Sequence, residues 1–369
     1  MRFTWFIARR IIGQRSHRSS VSGPIITIGI IAIALGVITM LIAIGTGVGL
    51  QNKIGQKVAA FSGHIRVTTL ENSQQQETLK PLEEAQTIQI TLQNQVNVSA
   101  VQSVAYVPGV ILNQNAFDGI VFKGIDDSFN PEFFSFFGDS EKISALGTQD
   151  IWISTDLANK LALSIGDRVP LYFASVETAM PKRRSCNVSG LFTTGFSDYD
   201  NTYVLGHLDI IRSLYGWDSN QVGAFELFLD NSSDLSAQSD VLYDSIDALV
   251  DVQHIEEQFP EIFNWIRLFG TNISLIIIIM IIVGGVNMIT ALLVLILEQT
   301  QLIGITRVMG ASVRSLQQLF LIQGGYLIGV GLFLGNLIGL GLLFIQKQTG
   351  IISLDPATYY VSQVPVYID

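Results

Sequence analysis

Three stretches without a single Asp, Glu, Lys or Arg constrain this 369-residue chain more than anything else in it. They are 24–50, 268–297 and 315–346, of 27, 30 and 32 residues. A helix that crosses a bilayer needs about 20 apolar residues, so each run predicts one span. The first run is longer than the roughly 7–15 residues of a signal-peptide core and is followed by no small-residue cleavage site. It reads as an uncleaved signal anchor.

The flanks orient the spans. Residues 1–23 carry five arginines and no acid, and residues 298–314 carry Arg307 and Arg314 against Glu298. Positive loops stay on the cytoplasmic side. Residues 51–267 therefore lie outside, with 13 basic and 28 acidic residues, a balance of −15 inside a chain of net charge −10. This acidity excludes nucleic acid as the partner.

The outer region is long enough for its own core. Alternation predicts strands at His64–Leu70, Phe117–Lys123, Ile151–Ser154 and Ala224–Leu229. Thr155–Leu163 and His207–Leu214 read as helices, and Gly166-Asp167 as a turn into a strand Arg168–Phe173. Glu71–Glu84 reads as a surface loop. Mixed short elements of this kind point to an α+β domain rather than repeated βαβ units.

Enzymatic signatures are missing from the sequence. It has no G-x-x-x-x-G-K-[ST], no H-E-x-x-H and no G-x-S-x-G. A single cysteine, Cys186, excludes an internal disulfide. His17, His64, His207 and His254 are far apart, so no metal or catalytic role is assigned. Asp198-Tyr199-Asp200-Asn201 could offer oxygens to a hard cation but reads first as an acidic surface turn. The spans hold no ionisable group, which argues against ion-coupled transport. Asn272 and Asn287 suit interhelical hydrogen bonds.

Two patterns remain. Gly331, Gly335 and Gly339 are four apart, as are Gly325 and Gly329, which predicts a helix face for close packing, within the subunit or against a second one. In 298–314, Leu302, Ile305 and Met309 form an apolar stripe on a short helix, with Gly310 as its C-cap and Ser312 as the next N-cap. Such a helix between two spans rests on lipid or inserts into a partner's groove.

That loop resembles a known family. Glu298…Ile303-Gly304-Ile305-x-Arg307-x-Met309-Gly310-Ala311-Ser312 is similar to the E-x-x-x-E-I-G-x-L-R-x-L-G-A-S signature of FtsX/MacB/Lol-type ABC transporter permeases, with Leu302 where the family has its second Glu. Phe6-Ile7-Ala8-Arg9-Arg10 resembles the family's start. Val188-Ser189-Gly190-Leu191-Phe192 with Phe196…Asp198-Tyr199-Asp200, and Leu354-Asp355-Pro356-Ala357-Thr358-Tyr359-Tyr360…Val364-Pro365-Val366, resemble segments of the LolC/LolE branch, which releases lipoproteins.

The resemblance implies a MacB-like periplasmic core domain and a coupling helix that docks on a separate ABC ATPase. ATP and magnesium would be bound by that subunit, with no cofactor in this chain. It implies a bacterial inner-membrane protein, a second permease subunit, membrane lipid, a lipoprotein cargo and a periplasmic carrier. Cargo would leave the membrane through a cavity lined by the first and second spans. A hairpin at Ser175–Cys186, with Met180, Pro181, Lys182, Arg183 and Arg184, would face the carrier, this being the only basic cluster on the outer region. The rival readings are a MacB-like efflux permease, an FtsX-like transmembrane signalling permease, and a membrane-tethered scaffold with no ATPase. The family has a fourth span, expected beyond the segment 347–369.

Overall fold

A computed structural model describes residues 22–73, 78, 80–113, 116–129, 136–137, 146–174, 180–230, 234–246 and 250–368. The start segment around Phe6–Arg10, the polar stretch 74–77 and the hairpin tip 175–179 lie outside the described residues.

In chain order the elements are α1 (Ser22–Ser62), β1 (Ile65–Thr69), α2 (Leu70–Ser73), α3 (Ala85–Gln93), β2 (Val98–Asn113), β3 (Ala116–Ile125), β4 (Asp150–Ser154), α4 (Thr155–Lys160), β5 (Arg168–Phe173), β6 (Lys182–Phe192) and α5 (Ser197–Thr202). Then follow β7 (Tyr203–His207), α6 (Leu208–Tyr215), β8 (Ala224–Leu229), α7 (Leu235–Ser245), β9 (Val250–His254), α8 (Ile255–Gln258), α9 (Pro260–Glu298), α10 (Thr300–Val308), α11 (Val313–Thr349) and α12 (Pro356–Tyr359). The chain divides into two compact units, one built from residues 22–52, 265–353 and 363–368, the other from Lys53–Asn264 and Leu354–Ser362.

The first unit holds the parts of α1, α9 and α11 that are long and apolar enough to cross a membrane. The helices outrun the uncharged runs at both ends, because hydrogen-bonded turns continue past the last apolar residue. Small residues let the helices approach. A Cβ on Gly29 would sit 3.4 Å from Ala291, and one on Gly47 only 2.1 Å from Ile273. Gln51 Nε2 donates to the Ile266 carbonyl at 3.1 Å. The segment 347–369 is shared between the units, since Leu354–Ser362 belongs to the second.

The second unit is an α+β domain around a nine-stranded mixed sheet of order β3-β7-β4-β6-β5-β2-β8-β1-β9. Because β3 also pairs with β2, six strands close into a ring, and β8, β1 and β9 extend from it. Strand β2 makes this possible: it pairs with β3 over Val104–Asn113, with β5 over Gly109–Ile111 and with β8 over Val98–Val104. Only β3–β7 and β4–β6 are parallel among the described pairings. Phe122 and Phe173 meet edge-to-face at 5.5 Å in the core, and Ile65, Leu171, Val204 and Phe225 belong to the same buried cluster.

The expected strands form, but 65–68 and 151–154 are buried at every position where alternation was expected. Ala224–Leu229 is buried along its whole length rather than alternately. A strand covered on both faces has no polar side to show. The stretch Glu71–Glu84 is also not simply loop. Leu70–Ser73 is a helical turn, Leu82 bridges to Val222, and Asn72 bonds the backbone of Lys80 at both its amide atoms.

Candidate functional site

The 298–314 loop contains one short helix, α10, capped at its C-terminal end where it meets α11. Gly310 takes a φ of 92° that a side chain would strain. Gly310 N–H donates to the Arg307 carbonyl at 3.0 Å and Ala311 N–H to Thr306 at 2.9 Å, which is the Schellman closure. The Ser312 hydroxyl accepts from Ser315 N–H at 3.3 Å and starts α11. No residue of α10 is buried. Its apolar face differs from the expected stripe. Leu302 and Ile303 are half-buried, whereas Ile305, Val308 and Met309 are exposed, Val308 at 90%. Gly304, Arg307 and Gly310 are exposed beside them, and Ala311 is half-buried. Val308 is therefore a face residue the 3-and-4 spacing from Ile305 to Met309 could have located. Glu298 ends α9, and its side chain lies outside the described residues.

The five patterned glycines of α11, Gly325, Gly329, Gly331, Gly335 and Gly339, separate into two groups. Cβ atoms on Gly331, Gly335 and Gly339 would fall 2.7, 2.7 and 2.9 Å from Ile33, Val37 and Leu41 of α1. Gly325 and Gly329 have nothing within 4 Å. Gly324 packs instead, on Leu292. A cleft of about 360 Å³ opens among Gly36 and Met40 of α1, Met280, Gly284 and Met288 of α9, and Ile328 of α11. Three of the six methionines of the chain line it. Methionine fills irregular apolar space adaptably.

The basic trio on β6 is divided by strand alternation. Lys182 and Arg184 turn back on α6, donating to the carbonyls of Leu214 and Ser213. These carbonyls are at the helix C-terminus, where cations are favoured. Arg183, Pro181 and Met180 are exposed. The expected cluster of three outward cations is thus one outward cation beside an exposed methionine.

Two segments singled out by the resemblance come together around one lysine. Lys57 Nζ donates to the Thr194 carbonyl at 2.9 Å and the Tyr360 carbonyl at 3.0 Å. The Phe196 and Tyr360 rings stack at 4.7 Å. Asp200 holds this turn shut: its carboxylate accepts from Thr194 N–H at 2.8 Å, Thr194 Oγ1 at 2.9 Å and Gly195 N–H at 3.0 Å. That use leaves Asp200 poorly placed as a cation ligand, and Asp198 is exposed. Among the described residues there is no group of three or more His, Cys, Asp or Glu that could hold a metal ion.

A polar row crosses the sheet. Gln253, Arg66 and Glu226 are direct cross-strand partners on β9, β1 and β8, and Gln102 of β2 faces Glu226. Lys123 Nζ contacts both Glu226 oxygens, at 3.0 and 2.9 Å, and donates to the Phe61 carbonyl in the last turn of α1. Tyr106 and Gln102 also donate to Glu226. Burial pushes Lys123 below the ordinary lysine range, and the Glu226 charge opposes it. Tyr106 is raised far above the usual phenol value by burial and then by Glu226. Lone charged residues inside the apolar runs of β1, β3 and β8 were the available signal for this row.

These features define a permease with an elaborated β-domain. The MacB-like periplasmic core domain family matches residues 25–237, and the FtsX-like permease C-terminal family matches residues 274–369. The chain belongs to the MacB-like family and ends in an FtsX-like permease domain, the architecture of ABC-transporter permeases. It is 22% identical to the lipoprotein-releasing system transmembrane protein LolC of Neisseria meningitidis, over 96% of this chain and 88% of that one. It is 23% identical to the LolC protein of Haemophilus influenzae, over 88% and 79%. Among solved structures, the periplasmic region of MacB from Actinobacillus actinomycetemcomitans aligns at 11% identity and TM-score 0.36, over 54% of this chain and 92% of that one. The extracellular domain of the ABC-type transporter YknZ aligns at 13% and 0.32, over 52% and 99%.

Proposed function

We propose that the chain is a permease subunit of an ABC transporter that extracts lipoproteins from the bacterial inner membrane. The observation that carries the reading is α10, a capped helix between two membrane-length helices that presents Ile305, Val308 and Met309 to solvent. An exposed apolar helix face of this kind fits a partner's groove. The partner is a separate ATPase, which binds ATP and magnesium. This chain contributes mechanical coupling and no covalent catalysis.

Similarity to proteins named for lipoprotein release favours that cargo over drug efflux or signalling. The methionine-lined cleft among α1, α9 and α11 suits an acyl chain, being almost wholly apolar. Met180 and Arg183 are the exposed residues that would meet a periplasmic carrier. The exposed Gly325 and Gly329 face is available to a second permease subunit.

The test is ATP-dependent release of a labelled lipoprotein from inner-membrane vesicles containing the chain and its ATPase. Release is expected to stop in Gly304→Glu and Arg307→Glu variants while ATP hydrolysis continues. Undiminished release by vesicles lacking the chain would overturn the reading.

A further inference from the structure

The polar row has an open end. Arg66 is buried, 7% exposed, and one of its terminal nitrogens donates to Gln253 Oε1 at 3.3 Å. Its Nε–H has no acceptor among the described residues. Gln258, 9% exposed, donates from Nε2 to the Gln253 carbonyl at 2.9 Å, while its Oε1 has no donor. Both side chains are therefore tied to Gln253, and both line one pocket of about 570 Å³ in the β-domain. Leaving a buried polar group unpaired is costly, and a buried charge more so.

The charges of this pocket are layered. Glu226 already serves Lys123, so the row holds two cations, Arg66 and Lys123, against one carboxylate. Arg66 is the charged member of the row that lines the pocket, so the floor is positive. Asp198, Glu257 and Glu261 line the same pocket and are exposed, so its mouth is negative. A simple anion is repelled at the mouth, and a simple cation is repelled at the floor.

We propose that this pocket binds a zwitterion with a phosphate and an ammonium joined by a short linker, the chemistry of phosphoethanolamine. The phosphate accepts from Arg66 Nε, a guanidinium being well matched to phosphate oxygens. The ammonium donates to Gln258 Oε1 and is attracted by Glu257 and Glu261. One ligand then supplies the acceptor and the donor that the two buried groups lack. A lipid headgroup and a free phosphodiester share this chemistry. The pocket includes Pro260, Glu261 and Ile262 in the first turn of α9. In the sequence its uncharged run begins at Leu268, six positions after Ile262.

The experiment is calorimetric titration of the full chain in detergent with glycerophosphoethanolamine, glycerophosphate, ethanolamine and glycine. Glycerophosphoethanolamine is expected to bind at least about tenfold more tightly than each of the others. The double variant Glu257→Gln/Glu261→Gln changes only exposed side chains and should weaken it by about tenfold with an unchanged Tm. Gln258→Leu should do the same. Arg66→Gln is a weaker test, since Arg66 also belongs to the buried row. No binding of glycerophosphoethanolamine, equal binding of glycerophosphate or glycine, or an unchanged affinity in the rim double variant would overturn the proposal. Nanodiscs separate the sources. Retention of phosphatidylethanolamine over phosphatidylglycerol, displaced by glycerophosphoethanolamine, identifies the lipid. Binding of the free headgroup with no lipid preference identifies a soluble ligand.

Discussion

Lys57 and Tyr360 are joined directly, Nζ to carbonyl at 3.0 Å, although 303 positions separate them in the chain. Tyr360 adopts a φ of 61°, which an L side chain takes only at a cost of about 1–2 kcal/mol. Its ring stacks on Phe196, and Lys57 also holds the Thr194 carbonyl. The ammonium thus fastens the segment after the third long helix to the turn after β6.

Lys57→Met removes both donations and keeps the stem. It is expected to destabilise the domain by about 1–3 kcal/mol, read by thermal unfolding. Proteolysis at 354–362 should quicken in parallel. Unchanged cleavage would mean the lysine does not hold the segment.

Glu226→Gln keeps the shape of the row but leaves Lys123 buried and uncompensated. Loss of one member of a buried pair costs about 3–5 kcal/mol. Lys123→Met/Glu226→Met should recover part of that loss. Additive single-variant effects in denaturant titrations would show that the pair is not coupled.

Val308→Glu changes a side chain that is 90% exposed. Stability should stay within about 0.5 kcal/mol. Copurification with the ATPase should fall sharply. If the ATPase is retained at wild-type level, α10 is not its docking helix.

Gly335→Val places methyl groups where a Cβ alone already lies 2.7 Å from Val37 and 2.8 Å from the Ala34 carbonyl. A cost of about 1–3 kcal/mol follows from overpacking. Gly329→Val meets open space and should be near neutral in the isolated subunit. Detergent-resistance melting curves of the two variants distinguish the faces.

His64 is held below its usual 6.5 by burial, and its Nδ1 accepts from Leu229 N–H at 3.2 Å. The unfolded chain therefore binds the extra proton first, and stability rises with pH through that window. The contribution is present above pH 6.5 and fades as pH falls below it. Tm should drop on acidification, and His64→Asn, which keeps an acceptor without titrating, should flatten that part of the profile.

The spans were legible because lipid forbids charge over a fixed length, a constraint that needs no tertiary context. The end of α10 and the start of α11 were legible because Gly310 and Ser312 act locally. The ring was not. β2 runs through Pro108 and Gly109 with no clean alternation, and although β3 follows it directly as a hairpin, its partners β5 and β8 lie far away in sequence. Glu226 illustrates the same limit. In an alternating strand its charge reads as facing water, yet both faces of β8 are covered. The basic trio was misread for the converse reason: adjacent residues on a strand point to opposite sides, so Lys182 and Arg184 cap a helix while Arg183 does not.

Strand β2 belongs at once to the closed ring and to the extension formed by β8, β1 and β9. A slip of one residue would turn every side chain of the strand over, and β3, β5 and β8 would each have to accept it. The two halves of the sheet are thus inseparable as modules: neither can be excised, swapped or melted without dismantling the strand that the other is built on.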